Sequence, residues 1–247
     1  FDVENEPMAG FIQIVKTNSL DDQPIAGVQF DIFHADGSGL AGSMTTNDEG
    51  VAISPPLRKG KYTVKEHANP EGYVAELVEL QAEVRSKETT HLSAENKPIQ
   101  GKIRIVKKDQ LTGNMLAGAE FTITRIFGLP SHNGAGNGEV VAVITTDKNG
   151  VAESPLLTYG VYKVEETKAP EHFVNAGFST EVSINEDNLQ TYEISVENEP
   201  TKGWIKLTKA DALDGHTIEG VRFDIYFAGS TELAGSMTTD ANGDFTS

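Results

Sequence analysis

The sequence predicts an all-β protein built from tandem β-sandwich units. Apolar and polar residues alternate along segments rich in β-branched residues, which is typical of half-buried strands. Turn motifs ending in glycine separate these segments, and both recur along the 247 residues of the chain. No long helical pattern competes with this alternation, so we expect several short strands in each unit.

The first strand of each unit ends in a lysine. The three copies are Lys16 in GFIQIVKTN, Lys107 in GKIRIVKKD and Lys209 in GWIKLTKAD. The lysines are 91 and 102 residues apart, which is the size of one small sandwich. Strand parity places Lys107 on the face of the alternating isoleucines and sends the adjacent Lys108 to the opposite face.

A glutamate and an asparagine recur in register with the lysine. The glutamates are Glu66 in YTVKEHANPEGY and Glu166 in YKVEETKAPEHF, and the asparagines are Asn5, Asn96 and Asn198. Each asparagine precedes the next lysine by 11 residues. Parity with Tyr162 and Val164 selects Glu166 over the adjacent Glu165.

The repeats divide the chain into four segments. They are the last strand of a preceding unit (1–7), a first complete unit (8–99), a second complete unit (100–200) and the N-terminal half of a third (201–247). From its lysine to its turn glycine the second unit has 43 residues, against 34 in the others. The excess falls in residues 127–139, whose glycine and asparagine content predicts an exposed loop.

Composition excludes several functional classes. Acidic residues outnumber basic ones 37 to 20, and the net charge of −17 disfavours nucleic acid and anionic membrane surfaces as partners. No apolar run is long enough to span a bilayer. The absence of cysteine rules out disulfides and thiolate metal sites, so any covalent staple must use other side chains.

These motifs resemble those of the CnaB or SpaA-type domains of Gram-positive surface proteins and pilins. The shared patterns are GxIxIxKxD, LAGAxF, YxVxExxxP and a terminal strand ending in asparagine, and they cover the chain from end to end. The resemblance implies transthyretin-like variants of the immunoglobulin sandwich, arranged end to end, without metal or cofactor. Unit one departs from the pattern with KTN in place of KxD, and unit two has PEHF in place of PxGY.

The resemblance also implies an intramolecular isopeptide bond in each complete unit. The implied pairs are Lys16 with Asn96, promoted by Glu66, and Lys107 with Asn198, promoted by Glu166. Burial disfavours charge on the amine and on the carboxyl, and the neutral pair is the reactive one. The carboxyl would donate to the carboxamide oxygen while the amine attacks, so each unit would react once rather than turn over.

We call each set of lysine, glutamate and asparagine a trio. One isolated trio would be explained by a lysine that lies in solvent and an asparagine that belongs to a turn. Two complete trios in matching context favour the chemistry. Downstream of Lys209 the chain has no partner glutamate or asparagine at the repeat positions, and Asn5 lacks an upstream lysine. We therefore expect both to remain unpaired.

The predicted function is a structural stalk of an extracellular surface protein, with its cell-wall anchor outside this segment. One alternative is an adhesin that binds a host matrix protein through residues 127–139. Another is a pilin shaft in contact with neighbouring subunits, although YPK-like and LPxTG-like sequences are absent from the chain. Calcium binding at residues 147–150 or 240–244 is a further alternative, but these residues match only part of the EF-hand pattern. The six histidines lack the spacing of metal ligands in an enzyme.

Overall fold

The computed structural model describes residues 9–129, 136–185, 190–229 and 231–246. Every regular element in these ranges is a β-strand, which confirms the all-β prediction. The chain divides into a compact unit, Phe1–Glu199, that contains two sandwiches, and a smaller unit, Pro200–Ser247. Within the described part of the chain, no helix is long and apolar enough to cross a membrane.

The first sandwich consists of eight strands in two sheets. They are β1 (Ala9–Asn18), β2 (Gln29–His34), β3 (Leu40–Thr45), β4 (Val51–Ile53), β5 (Leu57–Arg58), β6 (Gly60–Glu66), β7 (Glu79–Val84) and β8 (Thr89–Asn96). One sheet has the order β3-β2-β6-β7, and β1 is central in the other. Strand β1 pairs antiparallel with β4 and β5, and parallel with β8.

The second sandwich repeats this topology. Its strands are β9 (Gln100–Asp109), β10 (Glu120–Gly128), β11 (Val140–Thr145), β12 (Val151–Glu153), β13 (Leu157–Thr158), β14 (Gly160–Lys168), β15 (Ser179–Ile184) and β16 (Thr191–Asn198). The sheets are β11-β10-β14-β15 and a second one in which β9 pairs parallel with β16. The first two residues of the 127–139 segment extend β10, and residues 130–135 lie outside the described ranges.

Alternating side chains of the facing sheets form each core. In β1 every second residue is buried, and Ile12 and Ile14 are fully so. They face Phe30 and Ile32 of β2 and Val64 of β6 across the sandwich. Because the side-chain period of a strand is two, the next inward position after Ile14 belongs to a lysine.

The described part of the C-terminal unit contains four short strands. They are β17 (Lys206–Thr208), β18 (Arg222–Tyr226), β19 (Leu233–Thr238) and β20 (Asp244–Thr246). These strands form two two-stranded sheets, β17-β20 and β18-β19. The rings of Phe223 and Phe245 lie 5.5 Å apart between the sheets. Whether this unit is the opening half of a third sandwich therefore stays a prediction.

A loop of the first sandwich packs against the second. The backbone oxygen of Gly72 accepts a 2.9 Å hydrogen bond from Ile99 N–H, and Ile99 O accepts one of 2.9 Å from Tyr159 N–H. Leu129 packs against the first core, and Val74 packs against the second. Gly72 has φ +86, and a Cβ there would lie 2.9 Å from Leu129 and from Tyr159. Glycine therefore permits the close approach of the two sandwiches.

We predict that Gly72→Val loosens this junction. The valine would strain a left-handed backbone position, at a cost of about 1–3 kcal/mol, and would displace Leu129 and Tyr159. Residual dipolar couplings should show the two sandwiches orienting together in the unchanged protein and separately in the variant. Gly113→Val is the control, because its φ is +74 but a Cβ there meets nothing. Unchanged relative orientation in Gly72→Val would contradict the prediction.

Candidate functional site

The first candidate site brings together three polar side chains from three strands. Lys16 lies on the inward face of β1, Asn96 ends the parallel neighbour β8, and Glu66 ends β6 of the opposing sheet. Their relative exposures are 0%, 3% and 3%, respectively. The Phe30 ring lies 5.8 Å from the lysine nitrogen. The predicted residues therefore meet between the two sheets, away from water.

The Glu66 carboxylate contacts both of the other groups. Lys16 Nζ lies 3.3 Å from Oε2, and Asn96 Nδ2 donates a 3.2 Å hydrogen bond to Oε1. The backbone N–H of Val78 donates to Oε2 at 3.2 Å. Asn96 Oδ1 is buried without a hydrogen-bond partner in the described part of the chain. The carboxylate thus connects the amine to the carboxamide nitrogen.

The second site has the same three residue types in the same places. Asn198 is the last residue of β16, Lys107 and Glu166 lie two residues before the ends of β9 and β14, and all three are buried. Lys107 Nζ lies 3.5 Å from Glu166 Oε1, which also accepts a 2.9 Å hydrogen bond from Asn198 Nδ2. In addition, Lys107 Nζ donates to Asn198 Oδ1. Here the amine touches the carboxamide directly.

Burial lowers the pKa of Lys16 and of Lys107 below the ordinary lysine value. The neighbouring Glu66 and Glu166 act in the opposite direction, but they do not cancel the effect of burial. A lowered pKa increases the neutral fraction of an amine. Since only the neutral amine carries a free electron pair, both lysines are more nucleophilic than solvated ones.

The backbone of a turn glycine binds the backbone of each lysine. Lys16 N–H donates to Gly50 O at 2.8 Å, and Lys107 N–H donates to Gly150 O at 2.7 Å. Gly50 has φ +70, and a Cβ there would lie 2.5 Å from Lys16 O. The recurrent turn glycine therefore helps to position the lysine, a role that its spacing alone did not reveal.

The carboxamides are oriented differently from the expectation. We expected the glutamate to donate to the carboxamide oxygen, but in both sites the carboxamide nitrogen faces the glutamate. Asn69 is a further site residue that the motifs did not predict, and its Oδ1 accepts a 3.0 Å hydrogen bond from Asn96 Nδ2. Its only sequence signal is asparagine in HANPEGY where the second unit has alanine in TKAPEHF.

Of the remaining predicted residues, the described one, Lys209, does not join a trio. Lys209 is partly exposed, and its Nζ donates to Ala210 O at 3.1 Å. Asn5 lies outside the described residues, as does the whole of 1–7. The Asp147 carboxylate accepts hydrogen bonds from the N–H groups of Asn149 and Val151, so the 147–150 segment is a hairpin turn. In the described ranges, no group of three or more His, Cys, Asp or Glu residues is placed to hold a metal ion.

The sequence profile of the SpaA prealbumin-like fold domain matches residues 10–98 and 101–200. A comparison with curated proteins found no match. Among solved structures, the Bacillus anthracis TIE protein is similar at 28% identity and a TM-score of 0.76, over 97% of this chain and 43% of that one. The chain thus spans less than half the length of that relative.

Two structures of a Lactobacillus rhamnosus GG protein share the fold. The C-terminal fragment of pilus adhesin SpaC is 17% identical, with a TM-score of 0.52, over 78% of this chain and 98% of that one. A longer SpaC structure is 16% identical, with a TM-score of 0.55, over 77% of this chain and 31% of that one. The profile matches cover most of the chain, and they confirm the resemblance found in the motifs. The chain belongs to the family of SpaA prealbumin-like fold domains.

Proposed function

We propose that this chain is a stalk segment of a Gram-positive surface protein, and that each complete sandwich closes its own Lys–Asn isopeptide bond. The bonds would join Lys16 to Asn96 and Lys107 to Asn198. The observation that carries the proposal is the burial of an amine, a carboxylate and a carboxamide in contact, in both sandwiches. Three polar groups would rarely be buried together twice without a role, because burial costs each of them its hydration.

The geometry supports a proton relay through the glutamate. Transfer of the lysine proton to the carboxylate leaves a neutral amine and a neutral acid. The amine electron pair attacks Cγ of the asparagine, and the C=O π electrons move to the oxygen. The glutamate gives its proton to Nδ2, which it already contacts, and takes one from the newly bonded Nζ. The oxygen then re-forms the C=O bond, the Cγ–Nδ2 bond breaks, and ammonia leaves.

Folding would supply the rate enhancement. Groups held in good orientation reach effective molarities of about 10⁵ to 10⁸ M. The three residues come from strands far apart in sequence, so they meet only when both sheets have formed. The reaction would therefore follow folding and need no other enzyme. Each site would react once, because its product remains part of the chain.

The strand order supports a load-bearing role. β1 and β8 are the first and last strands of the first sandwich, and they are parallel neighbours. Tension entering β1 would cross the bond at Lys16 and leave from Asn96, without loading the segment between them. Closing that loop of 80 residues would also stabilise the fold by about 4–5 kcal/mol, by analogy with a disulfide. A domain with such a bond suits a stalk that projects another domain from a cell wall.

Intact mass spectrometry tests the chemistry. The purified chain should weigh less than its sequence by two molecules of ammonia, since each bond releases one. In Glu66→Ala and in Glu166→Ala the mass deficit should fall to one molecule of ammonia, because each variant lacks the glutamate that relays the proton in one site. Glu165→Ala is the matched control: Glu165 is adjacent in β14 but faces outward and pairs with Lys163 at 2.7 Å. A parent mass equal to that of the sequence would refute the proposal.

Single-molecule force spectroscopy tests the mechanical role. In the unchanged protein, unfolding of the first sandwich should leave the segment between Lys16 and Asn96 unextended. In Lys16→Met, the freed segment of 80 residues should add roughly 270 Å of contour length. Lys65→Met is the control, because Lys65 is half-exposed and pairs with Glu79 at the surface. Equal extension in the parent and Lys16→Met would mean that no bond carries the load.

A further inference from the structure

The two sites differ in the group that holds the carboxamide. In the first site, Asn96 Nδ2 donates to Glu66 Oε1 at 3.2 Å and also to Asn69 Oδ1 at 3.0 Å. In the second site, Ala169 occupies the position of Asn69 and offers no side-chain acceptor. Instead, the lysine of the second site contacts the carboxamide oxygen directly. The first site thus contains one polar side chain that the second lacks.

The orientation of Asn69 is determined by its own loop. Its Nδ2 donates to Tyr73 O at 2.7 Å and to Pro70 O at 3.2 Å. Both partners are backbone carbonyls, which can only accept, so the nitrogen of Asn69 must face them. Its oxygen is left facing Asn96. An acceptor in that place requires the donor end of the Asn96 carboxamide. Asn69 therefore determines that Asn96 Nδ2, and not Oδ1, lies on this side.

This orientation matters for the leaving group. The nitrogen of Asn96 must face the glutamate in order to receive its proton, and the reverse orientation would present the oxygen instead. Once protonated, the nitrogen carries a positive charge until the Cγ–Nδ2 bond breaks. A hydrogen bond from a charged donor is stronger than one from a neutral amide. The contact with Asn69 therefore strengthens as the reaction proceeds, which is the condition for lowering a barrier.

We propose that Asn69 is a positioning residue of the first site, which orients the Asn96 carboxamide and stabilises its nitrogen as ammonia departs. This inference rests on the proposed isopeptide chemistry. Asn69 acts through Asn96 and exchanges no proton, so the bonds formed and broken are those of the relay through Glu66. The second site performs the same reaction without this contact, and it orients its carboxamide through Lys107.

The rate of bond formation tests the role of Asn69. The full chain is made in a short cell-free translation pulse, quenched at intervals in acid denaturant and digested, and linked and linear peptides of each site are quantified by mass spectrometry. Asn69→Ala should slow the Lys16–Asn96 bond roughly tenfold, the effect of losing one charge-assisted hydrogen bond. The Lys107–Asn198 bond should form at the parental rate, and it serves as a control within the same molecule.

A second variant separates positioning of Asn96 from anchoring of the loop. Asn69→Asp retains an oxygen towards Asn96 but loses the donor to Tyr73 O and Pro70 O, so its bond should form faster than in Asn69→Ala and more slowly than in the parent. If Asn69→Asp is as slow as Asn69→Ala, Asn69 acts by anchoring the loop and the inference is wrong. A parental rate in Asn69→Ala also overturns it, while leaving the proposed function intact. A parent chain that forms neither bond overturns the proposed function and this inference together.

Discussion

The contact between a buried lysine and a buried glutamate of opposing sheets is the constraint on which each complete sandwich depends. Lys16 and Glu66 are both removed from water, and neither could be buried alone without a large loss of hydration free energy. Because they belong to different sheets, their contact also sets how the layers face each other. The glycine turn beneath the lysine and the parallel last strand bring further groups to this point.

Strand periodicity allowed much of the fold and of the site to be predicted. A period of two leaves only two faces, so the apolar neighbours of Lys107 were enough to choose it over Lys108. Other features depend on loop conformation, which the alternation does not encode. The Val78 N–H belongs to the backbone, and Asn69 meets Asn96 only because its loop folds back. The carboxamide orientation follows from such contacts, which explains why it differed from the expectation.

The two sites show how one arrangement tolerates different supporting contacts. Each retains the amine, the carboxylate and the carboxamide nitrogen facing it. What surrounds them varies: an asparagine assists the first site, whereas the amine of the second reaches the carboxamide oxygen itself. The repeat therefore keeps these three groups more closely than their neighbours. Two sites in one chain offer an internal comparison in which temperature, solvent and folding history are shared.

The parallel pairing of β1 with β8 has a consequence for survival outside a cell. Lys16 and Asn96 are 80 positions apart, and joining them would make the segment between them a covalent ring, with the rest of the chain attached at its two bonded residues. A protease that cuts a single exposed turn within this ring would open it without dividing the protein. The two halves of the protein would remain one molecule, and only a cut outside the bonded segments could divide it.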